Sequence, residues 1–509
     1  MKDRVYNIHN KTQEDAMFTF LFFVGLLIVG YIVWGKVSER IFVIRPEAVT
    51  PAYRLQNNVD YVPMSKARLI MLQLINIAGT GPIFGAIAGA LFGPAAFAWI
   101  VFGCIFAGAV HDYKISMLSV RNDGAHVGPL VGKYLGKTAR YIMIVFSLVL
   151  LLFVGVVFTT TPAMVLNNFF LPDVNFIHIA IALIILYYIV ATVIPIHKLI
   201  GRIYPFFGAV MVFMGVAMFI MLFVSGDIRN VPEWSFTNYR PDAGTNILAR
   251  IFPFLFITIA CGAISGFHAT QAPIVGRALQ NEKHGRPVFY GAMILEGVVA
   301  MIWAAVTMGH FNVVGVETAV AAPLIVSQSA VAYLGIFGGA LAVIGVALFP
   351  ITSGDTAFRS ARLLISETIN LDQQPIKNRF IVALPLFAIG VLLVLFSQAN
   401  PANFMIIWRY FAWSNQTLAT ICLWTASAYL AKTGKIYWIT LIPATFMTSV
   451  VTSYFFTATE TLGPVITRLT GDPVTTWTIG VTVGIALAAI LFILFVWQIG
   501  IKQKGTLQE

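Results

Sequence analysis

Apolar runs long enough to cross a lipid bilayer recur along the whole chain, and no other feature narrows its fold as much. A helix needs about twenty apolar residues to span the ~30 Å hydrocarbon layer. Candidate runs lie at Met17–Trp34, Leu69–Leu91, Pro94–Ser119, Tyr141–Phe158, Phe176–Pro195, Ile203–Val224, Ile247–Gly266, Val288–His310, Leu334–Pro350, Phe380–Phe396, Phe404–Leu430, Tyr437–Phe456 and Trp477–Trp497. They predict about thirteen transmembrane helices. Composition agrees: 10% of residues are charged, against about 25% in soluble chains. The first run has no small-x-small cleavage site and is read as a retained span.

The net charge of +11 comes from basic residues scattered through short loops, not gathered in a tract, so it reports topology and no nucleic-acid partner. Loops 36–67, 120–140, 196–202, 276–286, 359–379 and 431–436 are basic, and they alternate with 159–175, 311–333 and 398–403, which contain no lysine or arginine. The bias predicts an external N-terminus and a cytoplasmic C-terminus, with Lys2, Arg4 and Lys11 of the tail running against it. Cys104, Cys261 and Cys422 sit singly in apolar runs without metal-binding or redox spacing.

Within this background, Asn76–Gly85, NIAGTGPIFG, places Gly79, Gly81 and Pro82 in the middle third of a span. An unpaired peptide group in hydrocarbon costs several kcal/mol, so such a cluster persists only where the exposed backbone is used or re-satisfied. Tight packing of Gly85, Gly89 and Ala90 on a neighbour is one reading. The other is a discontinuous helix whose half-ends face a ligand. A second interruption at Cys261–Pro273, CGAISGFHATQAP, comes five spans later and therefore enters the membrane in the opposite sense. Paired breaks in inverted halves point to a secondary transporter with its site near the midplane. The resulting division is 1–66, an N-terminal helix and loop; 67–225, a first five-helix repeat; 247–431, its inverted counterpart; and 432–509, two extra helices.

The stretches NNVDYVP (Asn57–Pro63), NIAGTGPIFG, FAGAVHD (Phe106–Asp112), RNDGAHVGPLVGKYLG (Arg121–Gly136), CGAISGFHATQ (Cys261–Gln271) and GAMILEGVVA (Gly291–Ala300) together resemble the carbon starvation protein A family over about residues 50 to 430. The resemblance implies a cytoplasmic-membrane carrier of the amino acid-polyamine-organocation superfamily, whose members are associated with peptide and with pyruvate uptake. Family members commonly carry a His-His pair just before the first break; Gln73 and Leu74 stand there in this chain, and no role of that pair is carried over. The expected architecture is an all-α integral membrane protein with a leucine-transporter-like core of inverted five-helix repeats, its first and sixth core helices discontinuous.

Ionisable residues within spans should face a cavity or a partner. His111 and Asp112 fit either a proton relay or a structural pair, and Glu296 either a coupling carboxylate or a partner for a loop arginine. His268, in the second break, either meets substrate or is a satisfied core histidine. Thr352, Ser353, Asp355 and Thr356 offer oxygens to a sodium ion, or else cap a cytoplasmic helix carrying Arg359 and Arg362. For a carboxylate-bearing substrate, half-helix amides near Gly79, Thr80 and Gly81, and near Ser265 and Gly266, are the expected hold, with His268 and Gln271 beside them. Arg409 either forks a carboxylate or snorkels to the outer interface, and Trp413, Asn415 and Gln416 line the pathway or pack.

The predicted activity is ion-coupled uptake of a small-molecule carboxylate across the bacterial inner membrane by alternating access, with H+ or Na+ as coupling ion and neither cofactor nor structural metal. A channel would need a continuous polar lining. A metalloenzyme built from His111, Asp112, His268 and Asp355 would lack any H-E-x-x-H-like spacing.

Overall fold

The computed structural model describes residues 18–57, 60–170, 176–193, 204–235, 238, 251–314 and 322–506. Within them the chain is built of helices. α1 (Phe18–Phe42) precedes the core. The first core helix is split into α2 (Lys66–Ile77) and α3 (Gly81–Phe92), bent by 56°. Next come α4 (Ala95–Arg121), the amphipathic α5 (Val127–Leu135), α6 (Lys137–Phe170), α7 (Phe176–Val193) and α8 (Tyr204–Val224). The second half contains α9 (Phe254–Thr258), α10 (Gly266–Gly276), α11 (Gly291–Val314), α12 (Ala322–Thr368), α13 (Ile376–Ala399) and α14 (Pro401–Lys432). α15 (Trp438–Thr457), α16 (Gly463–Thr470) and α17 (Pro473–Thr506) close the chain.

Eight helices among the described residues are long and apolar enough to cross a membrane, or nine with α2–α3 counted as one span. The expected thirteen are reached only by adding the shorter apolar α7 and α8, the split α9–α10 and the more polar α14. The outward faces are those of a lipid-bathed molecule: Ile28, Val29 and Val33 of α1, Leu384, Leu392 and Leu395 of α13, and Ile485, Ile490 and Ile493 of α17 are all exposed.

The helices sort into two packed groups. α4 packs on α10 and α11, and α2–α3 packs on α10 and α11 as well. α6 runs along α12 and also meets α7, α13 and α14. At 34 residues α6 is about 51 Å long, long enough to hold that second group together across the bilayer. Extra helix α1 lies on α4 and α11, where Lys114 Nζ donates to the Ser38 carbonyl at 2.6 Å. α15 packs on α14, and α17 packs on α15.

Two expectations need correction. The loop foreseen at 311–333 is helical from Ala322, and α12 bends at Gly335, whose φ of 65° and ψ of −176° suit glycine alone. Of the two alternatives for Ser353–Asp355, the start of a helix is not met: the segment lies inside α12, buried, where Ser353 Oγ donates to the Ile75 carbonyl of α2 and Asp355 lies against Arg359 of the same helix. Lys2, Arg4, Lys11, the loop 196–202 and the expected start of the second repeat at 247 lie outside the described residues.

Candidate functional site

Both interruptions exist, and they touch. α2 stops at Ile77, residues 78–80 are non-helical, and Gly81–Gly85 resumes as a π-helical turn, a form enriched at functional sites. In the second half the chain is non-helical through 260–265 before α10 starts at Gly266. A Cβ on Gly81 would lie 2.3 Å from Cys261 Sγ, so only glycine lets the two breaks meet. Gly108, at the end of a π-helical turn in α4, receives the Ala263 carbonyl in the same way, 2.2 Å from where its Cβ would be. Pro273, expected to punctuate, is accommodated within α10.

The half-helix ends are more occupied than the sequence suggests. The Gly79 amide donates to the Ile77 carbonyl at 2.9 Å and is not free for a substrate. At the start of α10, Asn415 Oδ1 accepts from the Phe267 amide at 2.8 Å and from Ser265 Oγ at 3.1 Å, so a side chain of α14 already caps the position foreseen for a carboxylate. Gly266 packs against Asn415's own carbonyl, with 2.4 Å to a built Cβ. Gln416 Nε2 donates to the Phe256 carbonyl at 2.8 Å. Asn415 and Gln416 are therefore the clamp of the second break. The signal for it was two adjacent amides within the candidate span Phe404–Leu430.

Beside the breaks the ionisable residues of three helices converge. Asp112 of α4 bridges two histidines: its Oδ1 lies 2.8 Å from His111 Nδ1 and its Oδ2 2.8 Å from His268 Nδ1. On the far side of the same ring, His268 Nε2 is 3.4 Å from Glu296 Oε2 of α11. All four side chains are essentially inaccessible to solvent. The donor at each contact follows the tautomer: an ionised Asp112 only accepts, and both rings then donate to it through Nδ1, leaving each Nε2 for another partner. The arrangement is a chain of titratable groups, His111–Asp112–His268–Glu296, along which a proton can be held at several neighbouring atoms. Four residues read singly from the sequence become one unit.

The hydroxyl-rich stretch of α12 splits. Ser353 Oγ donates to the Ile75 carbonyl of α2 at 3.0 Å, one turn before the first break. Thr352 Oγ1 bonds Phe349's carbonyl at 2.8 Å, and Thr356 Oγ1 bonds Ser353's at 2.9 Å. Asp355 turns elsewhere, 3.6 Å from Arg359, whose guanidinium also donates to the Ala191 carbonyl of α7 at 2.9 Å. The structure thus brings Ser353 to the first break, and Asp355 faces a fixed cation. Gln271 reaches α12 through Ser360 Oγ at 3.4 Å, while Thr80 is buried without a hydrogen-bond partner for its hydroxyl. Arg409 is half-exposed beside Glu460 at 3.5 Å, far from both breaks in its contacts. Trp413 donates to the Val451 carbonyl at 3.0 Å.

At the basic loops, two polar knots that sequence reading missed join the helix groups. Arg121 holds Glu282 at 2.7 Å and Tyr429 at 2.8 Å. Arg277 holds Glu367 at 3.0 Å and the Gly124 carbonyl at 3.0 Å, next to His126, whose Nε2 is 3.4 Å from Glu367. Burial, reinforced by Arg277, holds the His126 imidazole well below its ordinary pKa.

Two helices broken opposite each other, flanked by a buried titratable chain and borne by one of two packed helix groups, define a membrane protein of the leucine-transporter-like fold. The solved structure of MhsT in complex with L-phenylalanine superposes with a TM-score of 0.56 over 85% of this chain and 98% of that one, at 11% identity, a likeness of fold alone. The chain belongs to the carbon starvation protein CstA family, which matches residues 15–177, 170–330 and 312–454. Among its relatives, peptide transporter CstA of Campylobacter jejuni is 24% identical over 566 residues, covering 86% of this chain and 80% of the relative. Pyruvate/proton symporter BtsT of Escherichia coli is 28% identical over 341 residues, covering 55% and 47%.

Proposed function

We propose that this chain is a proton-coupled secondary transporter that takes up a small carboxylate-bearing nutrient, a short peptide, pyruvate or an amino acid, across the bacterial inner membrane. One observation carries the reading: a buried chain of four titratable side chains, from three helices, includes His268 at the second break, and the helices α10 and α11 that bear part of it pack on the first broken helix. A proton bound there alters the charge at the point where the breaks meet, which gives it unequal affinity for the two access states, the requirement for coupling. The names of the peptide and pyruvate/proton carriers among the relatives support the same reading.

The substrate would sit at the touching breaks, near Gly79, Thr80, Gly81, Ser265, Gly266, His268 and Gln271, after Asn415 releases the end of α10. The repeats 67–225 and 247–431 would supply the two halves, with α2–α3, α4, α10 and α11 rocking against the α6–α7–α12–α13 group. The N-terminus would face outward and the C-terminus the cytoplasm. Catalysis plays no part in this reading. A sodium ion is the second reading, and the Ser353 bond to the Ile75 carbonyl favours it. Against it, Arg359 already supplies Asp355 with a positive charge.

The test is uptake of radiolabelled pyruvate, alanine and alanyl-alanine into proteoliposomes under imposed pH or sodium gradients. Accumulation driven by an inward proton gradient is expected. Accumulation that follows sodium and ignores pH would transfer the coupling to α12.

A further inference from the structure

The titratable chain is not the end of the buried polarity. Among the described residues, twelve buried side-chain atoms of α2, its break, α4, α10 and α11 make no hydrogen bond; besides Tyr113 Oη and Gln271 Oε1 they are ten: both amide atoms of Gln73 and of Asn76, Thr80 Oγ1, Nε2 of His111 and of His268, both Glu296 oxygens and Trp303 Nε1. Gln73 and Asn76 are wholly inaccessible to solvent.

Their direction follows from the helix. Met71 and Ile75 of α2 lie against Gly208 of α8, within 2.3 and 3.1 Å of where its Cβ would be. Gln73 therefore falls on the opposite side of α2, with Asn76 one turn along on the same stripe. Besides α8, the neighbours of α2 include α12 and the two helices that carry His268 and Glu296, α10 and α11. Trp303 sits two turns beyond Glu296 on the same stripe of α11. The 3.4 Å between His268 and Glu296 is also longer than a direct charge-assisted bond.

Bare, this many buried polar groups would outweigh the net stability of a folded domain. Water is their usual partner, at about three hydrogen bonds each, so roughly three molecules would serve all ten atoms. An amide does not titrate, but with one donor group and one acceptor it orients water on both sides.

We propose that Gln73 and Asn76 hold a short file of water that carries the coupling proton between the Glu296–His268–Asp112 chain and the end of α2 bearing Lys66 and Arg68. Each water accepts one proton and passes on another, so one proton enters, one leaves and nothing is consumed. The two amides are positioning residues. The inference rests on the proton-coupled reading and adds the route to it.

The experiment uses the full chain in pyranine-loaded proteoliposomes. It compares pH-gradient-driven uptake, with its internal acidification, against counterflow at equal pH, for whichever of labelled pyruvate, alanine or alanyl-alanine the parent moves. Gln73→Leu with Asn76→Leu should slow gradient-driven uptake and acidification about tenfold and leave counterflow nearly unchanged. Gln73→Ser, which keeps a water-binding group, should recover most of the loss. Equal loss in both assays with no recovery by serine, no loss in either, or a changed apparent KM in counterflow alone would overturn the proposal, the last by making the amides substrate contacts. A parent whose uptake ignores the pH gradient removes the functional reading itself, and this route falls with it.

Discussion

Asp112 joins two of the other three members of the titratable chain, since each of its oxygens holds a different histidine. Asp112→Asn keeps the shape but turns one acceptor into a donor facing an N–H, so one ring must flip and the charge is lost. Gradient-driven accumulation in proteoliposomes should disappear while counterflow partly survives; undiminished uphill uptake would take the carboxylate out of coupling. Gly81 makes a different demand, one of space. Gly81→Ala places a methyl group on the Cys261 side chain and should lower stability by about 1–3 kcal/mol, read as thermal unfolding in detergent. Adding Cys261→Gly empties that volume and should restore most of the loss, because the clash involves both Cβ and Sγ of the cysteine.

At the scale of elements, the second break depends on α14. Asn415→Leu leaves the Phe267 amide and Ser265 hydroxyl without their acceptor, a loss of about 1–3 kcal/mol that should appear as faster hydrogen exchange in α10 than in α11. Equal exchange in parent and variant would show that the clamp is not needed. The breaks themselves were legible in the sequence, because Gly79, Gly81 and Pro82 in an apolar run are intolerable unless the backbone is used. So was each buried ionisable residue taken singly. Their union was not: Asp112 and His268 are 156 positions apart, and only the packing of α4 on α10 brings them together. Local signals misled at Ser353–Asp355, where a capping pattern was overridden by the Ile75 carbonyl and Arg359. They also missed the helix before Gly335, since a run with no charge periodicity reads equally well as loop.

For the whole molecule, the knots at the basic loops set how the two helix groups are held together. His126, in the loop before α5, is kept neutral by burial and Arg277, so its folded pKa lies well below the 6.5 of the free side chain. The unfolded chain then binds more protons as pH falls through 6.5, and stability is lost in that window and retained above it. His126→Gln should therefore shrink the drop in melting temperature between about pH 7.5 and 5.5; an equal drop in both proteins would place the acid sensitivity elsewhere. The two terminal helices, finally, are fastened to opposite halves. Lys114 ties α1 to the group that holds the breaks, whereas α17 reaches the rest of the molecule chiefly through α15 and α14, with one bond from Trp477 Nε1 to the Phe252 carbonyl at 2.8 Å. In a rocking machine the amino end would thus travel and the carboxyl end would stay, like pointer and dial. Dyes placed near Phe18 and Pro473 would report each stroke as a change in separation, without touching any residue that handles cargo.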